Sequence, residues 1–330
     1  MKADFAPGEP APMAAPRPAD IQVYPAPEGL LERVTAAVLR TALKLTIKPF
    51  FGPPWPAPVI RASLHLGALA MPQDGRAVVH RDMVGSLFCE RILPRGRTQP
   101  RQAVLYLHGG AFCAGSPRTH RSITRRLAAL TGAMVFVPHY RLIPEHPFPA
   151  QIDDCVAAYR HLLAMGYTPD RIAVAGDSAG GNLSYMLVHA LKLNGLPLPS
   201  SVVMISPVLS DEVPTSGSAV TRARVDPMIR PSIGPLIVKW SKLPASHPLL
   251  HAKQQDLSDF PPALIQVGDD EVLLDDAHWA AEALAAAGRD VRLEVHMARW
   301  HVFQCHAGML RSSDEALARE AAFMQRHWTS

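Results

Sequence analysis

Charge is scarce in this 330-residue chain: Asp, Glu, Lys and Arg make up 19% of it and leave a formal net charge of +4. No Lys/Arg cluster stands beside interleaved aromatic residues, so the footprint of a nucleic-acid binder is missing. Long hydrophobic runs are missing too. Nothing approaches about 18 uninterrupted apolar residues, so no segment is expected to span a membrane. Cysteine is rare: Cys89, Cys113, Cys155 and Cys305 are widely spaced, with no C-x-x-C pair. That speaks against a disulfide framework and against metal-ligand spacing. Free thiols in a reducing compartment are the expectation. The Pro- and Ala-rich start holds no continuous apolar stretch. A secretory signal is therefore not expected, and the expected location is the cytoplasm.

What is present builds a core. Apolar residues make up 48% of the chain, and its length is generous for one compact domain but short for two full catalytic ones. Residues 1–27 show no periodicity and read as a loose arm. Over 28–47 a helical pattern aligns Leu30, Leu31, Val34, Val38, Thr41 and Leu45 on one side, with Arg33, Arg40 and Lys44 on another. A basic amphipathic helix can lie on a membrane surface. More often such a stripe packs on the rest of the protein, and that packing is expected here. A Pro-rich break follows, then a second helical run over 59–71.

From about residue 86 the texture alternates. Strands are expected at 85–94, 103–107, 134–138, 171–175, 201–205, 263–267 and 291–296. Helices are expected at 119–131, 149–165, 179–193, 276–287 and 314–327. Strands separated by single helices imply parallel β-α-β units in one sheet. Residues 211–251 break the rhythm and read as an insertion over one end of that sheet, with a helical piece at 233–240.

Gly176-Asp177-Ser178-Ala179-Gly180 falls between an expected buried strand and a helix. In that context the turn forces the serine into strained geometry and presents its hydroxyl at the sheet edge. The helix starting at Ala179 directs N–H groups toward developing negative charge. His108-Gly109-Gly110-Ala111-Phe112 follows another expected strand, and its glycines offer N–H groups clear of side chains. With the N–H of Ala179, those of Gly109 and Gly110 would complete an oxyanion site, while His108 is expected to brace the loop. A serine needs a base. Of fifteen histidines, His301 lies in the loop after the last strand, ahead of His296 and His306 as candidates. The acid should follow the strand at 263–267, where Asp269, Asp270 and Glu271 lie in the loop. Asp275 and Asp276, at the start of the next helix, fit N-capping better. Spacing alone does not separate the three loop acids.

These residues together resemble the hormone-sensitive-lipase-like (bacterial family IV) esterases of the α/β-hydrolase superfamily. The carriers are LYLHGGAFCAGS, YRLIPEHPFPAQIDD, AGDSAGGNLS, ISPVLS, PPALIQVGDDEVLLDD and WHVF, in that order. The resemblance implies an α/β-hydrolase fold: a mostly parallel eight-stranded sheet flanked by helices beneath a helical cap. Residues 1–70 would supply the arm and cap helices, 71–210 and 252–330 the catalytic core, and 211–251 the inserted cap segment. It assigns the acid to Glu271, read as Glu271-Val272-Leu273-Leu274-Asp275. It implies a Ser178–His301–Glu271 triad hydrolysing short- to medium-chain acyl esters through an acyl-enzyme, with no metal or organic cofactor required. Amidase or metabolite-deacetylase chemistry shares that machinery, and a non-catalytic receptor would have been expected to lose a triad member. Members are often dimers, so a homodimer is a further expectation. The chain departs from the family at Ala111, in place of a third glycine, at His139 before Tyr140, and at Val208, where Trp is common. Ala111, Phe112, Asp177 and Val208 are the expected pocket residues.

Overall fold

Short strands buried on both faces need helices on both faces, and this chain supplies them in alternation. The computed structural model describes residues 18–209, 216–242 and 252–329. It begins with β1 (Asp20–Tyr24), α1 (Leu30–Thr46), α2 (Ala57–Leu69) and a hairpin of β2 (Ala77–Val84) and β3 (Leu87–Pro94). Next come β4 (Ala103–Leu107), α3 (Arg121–Thr131), β5 (Met134–Pro138), α4 (Ala150–Ala164), β6 (Ile172–Asp177), α5 (Ala179–Leu193) and β7 (Ser201–Ile205). Two helices, α6 (Ser218–Thr221) and α7 (Ile233–Ser241), precede β8 (Ala263–Gly268), α8 (Leu274–Ala286), β9 (Val291–His296) and α9 (Arg311–His327).

The strands lie in the order β1-β9-β8-β7-β6-β4-β5-β3-β2. Among the described residues, only the β2–β3 and β3–β5 pairings are antiparallel. Alternation along each central strand sorts the core into two layers. Leu105 and Leu107 of β4 face α4 and α5, where Ile152, Leu162, Leu183 and Leu187 meet them. Val104 and Tyr106 face the other way, onto Ile123 and Leu127 of α3 and Leu317 and Met324 of α9. Each such side chain, fully withdrawn from water, stabilises the fold by about 1.5–3 kcal/mol before entropy is counted. The parallel strands all run the same way, so β4, β6, β8 and β9 open their carboxyl ends on one edge, where sites of open α/β sheets form.

Three expectations are corrected. The sheet has nine strands, because residues 20–24 of the arm pair in parallel with β9, from Asp20 opposite Arg292 to Tyr24 opposite His296. Without them β9 would present an unpaired edge. Arg292 bonds Asp20 at 3.0 Å, and the Tyr24 ring stacks on His296 with centroids 4.9 Å apart. Residues 1–70 are therefore not all arm and cap. The second correction is β2, which had not been read as a strand. Third, α1 is turned over relative to its expected stripe. Ala36, Leu39 and Leu43 are buried, whereas Leu31 is 81% and Val38 63% exposed. Ion pairs explain the orientation. Glu32 and Arg40 sit on the same face as Ala36, Leu39 and Leu43, and reach Arg299 at 2.7 Å and Asp270 at 2.8 Å.

Of the segment expected as an inserted cap, residues 210–215 and 243–251 lie outside the described residues. Between them, Asp226 is wholly buried. It accepts the N–H groups of Met228 and Ile229 at 2.8 and 2.9 Å and that of Val272 at 3.1 Å, tying this segment to the loop after β8.

Candidate active site

β6 ends at Asp177, and the chain reverses into α5 at Ser178, whose φ of +54° and ψ of −118° lie outside the regions a side-chain-bearing residue prefers. A hydrogen bond from its N–H to the Ile205 carbonyl, 2.8 Å, holds the turn on the neighbouring strand. The glycines around it permit close approach. A Cβ at Gly176 would stand 2.7 Å from the Leu107 carbonyl, and one at Gly180 would collide with the same group. The end of β4 thus abuts the elbow, as the G-x-S-x-G context requires.

The loops after β8 and β9 bring an acid and a base to the same edge. His301 Nδ1 donates to Glu271 Oε2 at 2.8 Å. Glu271 Oε1 accepts from Ser206 Oγ at 2.9 Å and from the Gly268 N–H at 2.5 Å. Glu271 is wholly buried and His301 nearly so. Burial drives the Glu271 carboxyl above its ordinary value, opposed by His301 and the Gly268 N–H. Burial also disfavours a charged His301 ring, but the hydrogen bond and charge of Glu271 outweigh it and raise that pKa. Ser178 and His301 line one cavity of about 740 Å³.

The competing residues are engaged elsewhere. Asp270 is bound to Arg40 at 2.8 Å. Burial raises the Asp269 carboxyl, and Asp269 makes no contact with His301 among the described hydrogen bonds. Asp275 and Asp276 do not cap their own helix. They accept the N–H groups of Ser218 and Leu209, each at 2.7 Å. His296 stacks on Tyr24, and burial lowers its pKa. His306 also lines the cavity, but its Nδ1 faces the Phe303 carbonyl at 3.2 Å and burial lowers its pKa to about 4. Cys305 shares the wall too; burial pushes its thiol up to about 12, so it stays un-ionised near neutrality.

The expected oxyanion donors need one correction. The Gly109 N–H donates to Asp177 Oδ1 at 3.1 Å and is not free for substrate. A Cβ at Gly109 would also collide with that carboxylate. Gly110 and Ala179 remain from the expected set, and the next N–H in the loop belongs to Ala111. Asp177 is a hub. It accepts from Tyr106 Oη at 2.7 Å as well as from Gly109, and His120 Nε2 stands 3.2 Å from its other oxygen. His120 Nδ1 stands 2.9 Å from Thr119 Oγ1 and 3.1 Å from the Ser116 carbonyl, and that carbonyl favours a positive charge on the ring. Burial opposes that charge, and Asp177 restores it, raising the His120 pKa. His108 is buried and neutral, its ring stacked on Tyr140 at 4.2 Å, and Tyr140 Oη donates to the His108 carbonyl at 2.6 Å. This braces the loop.

Of the expected pocket residues, Asp177 is on the cavity wall, whereas the side chains of Ala111, Phe112 and Val208 do not line it. Ala111 and Phe112 pack instead into an apolar cluster with Phe51, Ile60 and Ile229, and Val208 bonds Ser178 and Asn182 through its backbone. The wall is built largely by α1 and α2, through Leu39, Leu43, Leu45, Leu64 and Leu66, with Phe51 between the helices. His120, Ser206, Asp226 and Arg299 had not been singled out from the sequence. Ser206 lay in a recognised stretch, but nothing local distinguishes His120 from the other histidines.

A family model described as the alpha/beta hydrolase fold matches residues 104–305. An acetyl-hydrolase of Streptomyces hygroscopicus is 36% identical over 245 residues, covering 74% of this chain and 82% of that one. An esterase of Acinetobacter venetianus is 30% identical over 295 residues, covering 88% and 94%. Among solved structures, an esterase of the bacterial hormone-sensitive lipase family superposes with a TM-score of 0.82 at 35% identity, covering 92% of this chain and all of that one.

Proposed function

The chain belongs to the α/β-hydrolase fold family as a hormone-sensitive-lipase-like member and is a carboxylesterase-type hydrolase; from that premise we propose that it cleaves short- to medium-chain acyl esters through Ser178, His301 and Glu271. One observation carries the reading: a buried Glu271–His301 pair, 2.8 Å long, faces the same cavity as a serine held at a strained elbow.

His301 Nε2 takes the Ser178 proton as the oxygen attacks the ester carbonyl. The oxyanion is met by N–H groups of Gly110, Ala111 and Ala179, and each such donor is worth about 10²–10³ in rate. Glu271 holds the ring with its proton on Nδ1 and stabilises the imidazolium. His301 then protonates the leaving alcohol. Water attacks the acyl-enzyme by the same route and returns Ser178 and the free acid. Leucine-rich walls suit an acyl chain, and the cavity of about 740 Å³ has room beyond an acetyl group.

Turnover of p-nitrophenyl esters from acetate to laurate, beside matched p-nitroanilides, tests this. The reading expects turnover of the shorter esters, little of the anilides, and loss of both in Ser178→Ala. Anilides cleaved faster than esters, or an active Ser178→Ala, would overturn it.

A further inference from the structure

The outward side of α1 is apolar where a surface helix is ordinarily polar. Leu31, Val34, Val38 and Leu45 recur on one side and are 81%, 53%, 63% and 69% exposed, with Leu30 beside them at 75%. On α2, Leu66 and Leu69 are 66% and 60% exposed, and Leu66 shares the cavity wall with Leu45. Single exposed leucines are ordinary, but a contiguous apolar face marks an interaction site. This face is also the rim of the catalytic cavity, because Leu45 and Leu66 belong to the wall that reaches Ser178 and His301.

The charges of α1 divide between inward pairs and its exposed side, and Glu28, two residues before the helix, is exposed as well. Glu32 turns inward to Arg299 and the Ser312 N–H, Arg40 to Asp270, and Lys48, just past the helix, to the carbonyls of Ala223 and Asp226. The charged groups of α1 left exposed are Arg33 and Lys44, eleven residues apart and so on one edge of the stripe. An apolar face bordered by cations is how a helix lies in a lipid–water interface, its apolar side chains among acyl chains and its cations at anionic headgroups.

We propose that α1 and the adjoining rim of α2 dock on an anionic lipid surface, from which acyl esters pass directly into the cavity. The occupant has to leave the mouth open to acyl chains. A lipid surface does so, whereas a second copy seated on the same residues would close it. The proposal rests on the cavity being the ester site, yet docking is read by binding alone, so the two readings fail separately.

The test uses the full chain carrying Ser178→Ala, so that no ester is consumed. It is sedimented with vesicles of phosphatidylcholine plus phosphatidylglycerol and with vesicles of phosphatidylcholine alone. Binding is expected to the mixed vesicles, to weaken with salt, and to fall about tenfold or more on adding Val34→Glu and Val38→Glu. Neither residue lines the cavity, so in an otherwise wild-type chain these two substitutions leave p-nitrophenyl acetate turnover unchanged. Failure to sediment, equal binding to phosphatidylcholine alone, or binding indifferent to the substitutions would overturn the proposal. So would a two-copy mass by light scattering that the same substitutions reduce to one.

Discussion

Replacing Glu271 by Gln alters few atoms but is expected to put a proton on the wrong nitrogen. Glu271 Oε1 accepts from the Gly268 N–H at 2.5 Å and from Ser206 Oγ at 2.9 Å, while Oε2 faces His301 Nδ1 at 2.8 Å. A backbone N–H cannot turn round, so the amide oxygen of Glu271→Gln stays over Gly268 and its NH₂ group faces His301. That donor forces Nδ1 to accept and moves the ring proton to Nε2, the atom that must take the Ser178 proton. A wrong tautomer of this kind costs about 10⁴ in kcat, or ~5 kcal/mol at 1.36 kcal/mol per decade. KM should hardly change, since Glu271 is buried beneath the ring.

The pH profile supplies the second readout. Against burial, Glu271 raises the His301 pKa above its ordinary 6.5. Only the neutral ring acts as base, so wild-type kcat/KM rises with pH through a limb above that value. The residual activity of Glu271→Gln should show its limb at lower pH, because the carboxylate that favoured the imidazolium is gone. p-Nitrophenyl butyrate hydrolysis measures both quantities. A variant within about tenfold of wild type, with an unmoved limb, would refute the orienting role given to Glu271.

Asp270→Asn should keep kcat within about threefold, because Asp270 is engaged with Arg40; Arg40→Ala should lower stability by about 1 kcal/mol, or roughly 2–4 °C in a thermal melt. Asp177→Ala strips acceptors from Gly109, Tyr106 and His120, each stranded donor costing about 1–3 kcal/mol in urea unfolding. By misplacing the oxyanion loop it should also lower kcat by about 10²–10³. Asp177→Asn, which keeps one acceptor oxygen, should stay within about tenfold, and a fully active Asp177→Ala would contradict this role. Glu320 is buried with both carboxylate oxygens unpartnered, and burial raises its pKa well above 4.5. The folded state therefore keeps a proton that the unfolded state releases, so stability falls as pH rises beyond the ordinary carboxylate range. Melting curves of Glu320→Gln should show a gain over wild type that grows with pH; a constant difference would count against it.

The central strands and the helices between them were legible because whole strands are apolar and the helices alternate with them. β4, β5, β7, β9 and α5 run where the pattern placed them. β1 was not legible. Its five residues lie in a Pro- and Ala-rich arm, and their value comes from pairing with β9, a contact 270 residues away for Tyr24 and Glu294. The α1 stripe misled for a related reason. Periodicity finds an apolar face, but Glu32 and Arg40, through partners beyond residue 269, decide which face turns inward. In the site, Ser178, Glu271 and His301 follow from motif and chain order. Gly109 could not be separated from Gly110 by sequence, since Asp177 takes one N–H and not the other only in three dimensions. His120 was likewise invisible, because its contact with Asp177 is made only by folding.

Inactivation with a p-nitrophenyl alkylphosphonate, followed by peptide mapping, tests most directly whether Ser178 is the residue that is acylated. The predicted result is release of p-nitrophenol stoichiometric with enzyme, loss of all esterase activity, and the phosphonyl mass on the peptide containing Ser178. Ser178→Ala should release none. An adduct on any other residue, or full esterase activity in a chain stoichiometrically modified at Ser178, would contradict it.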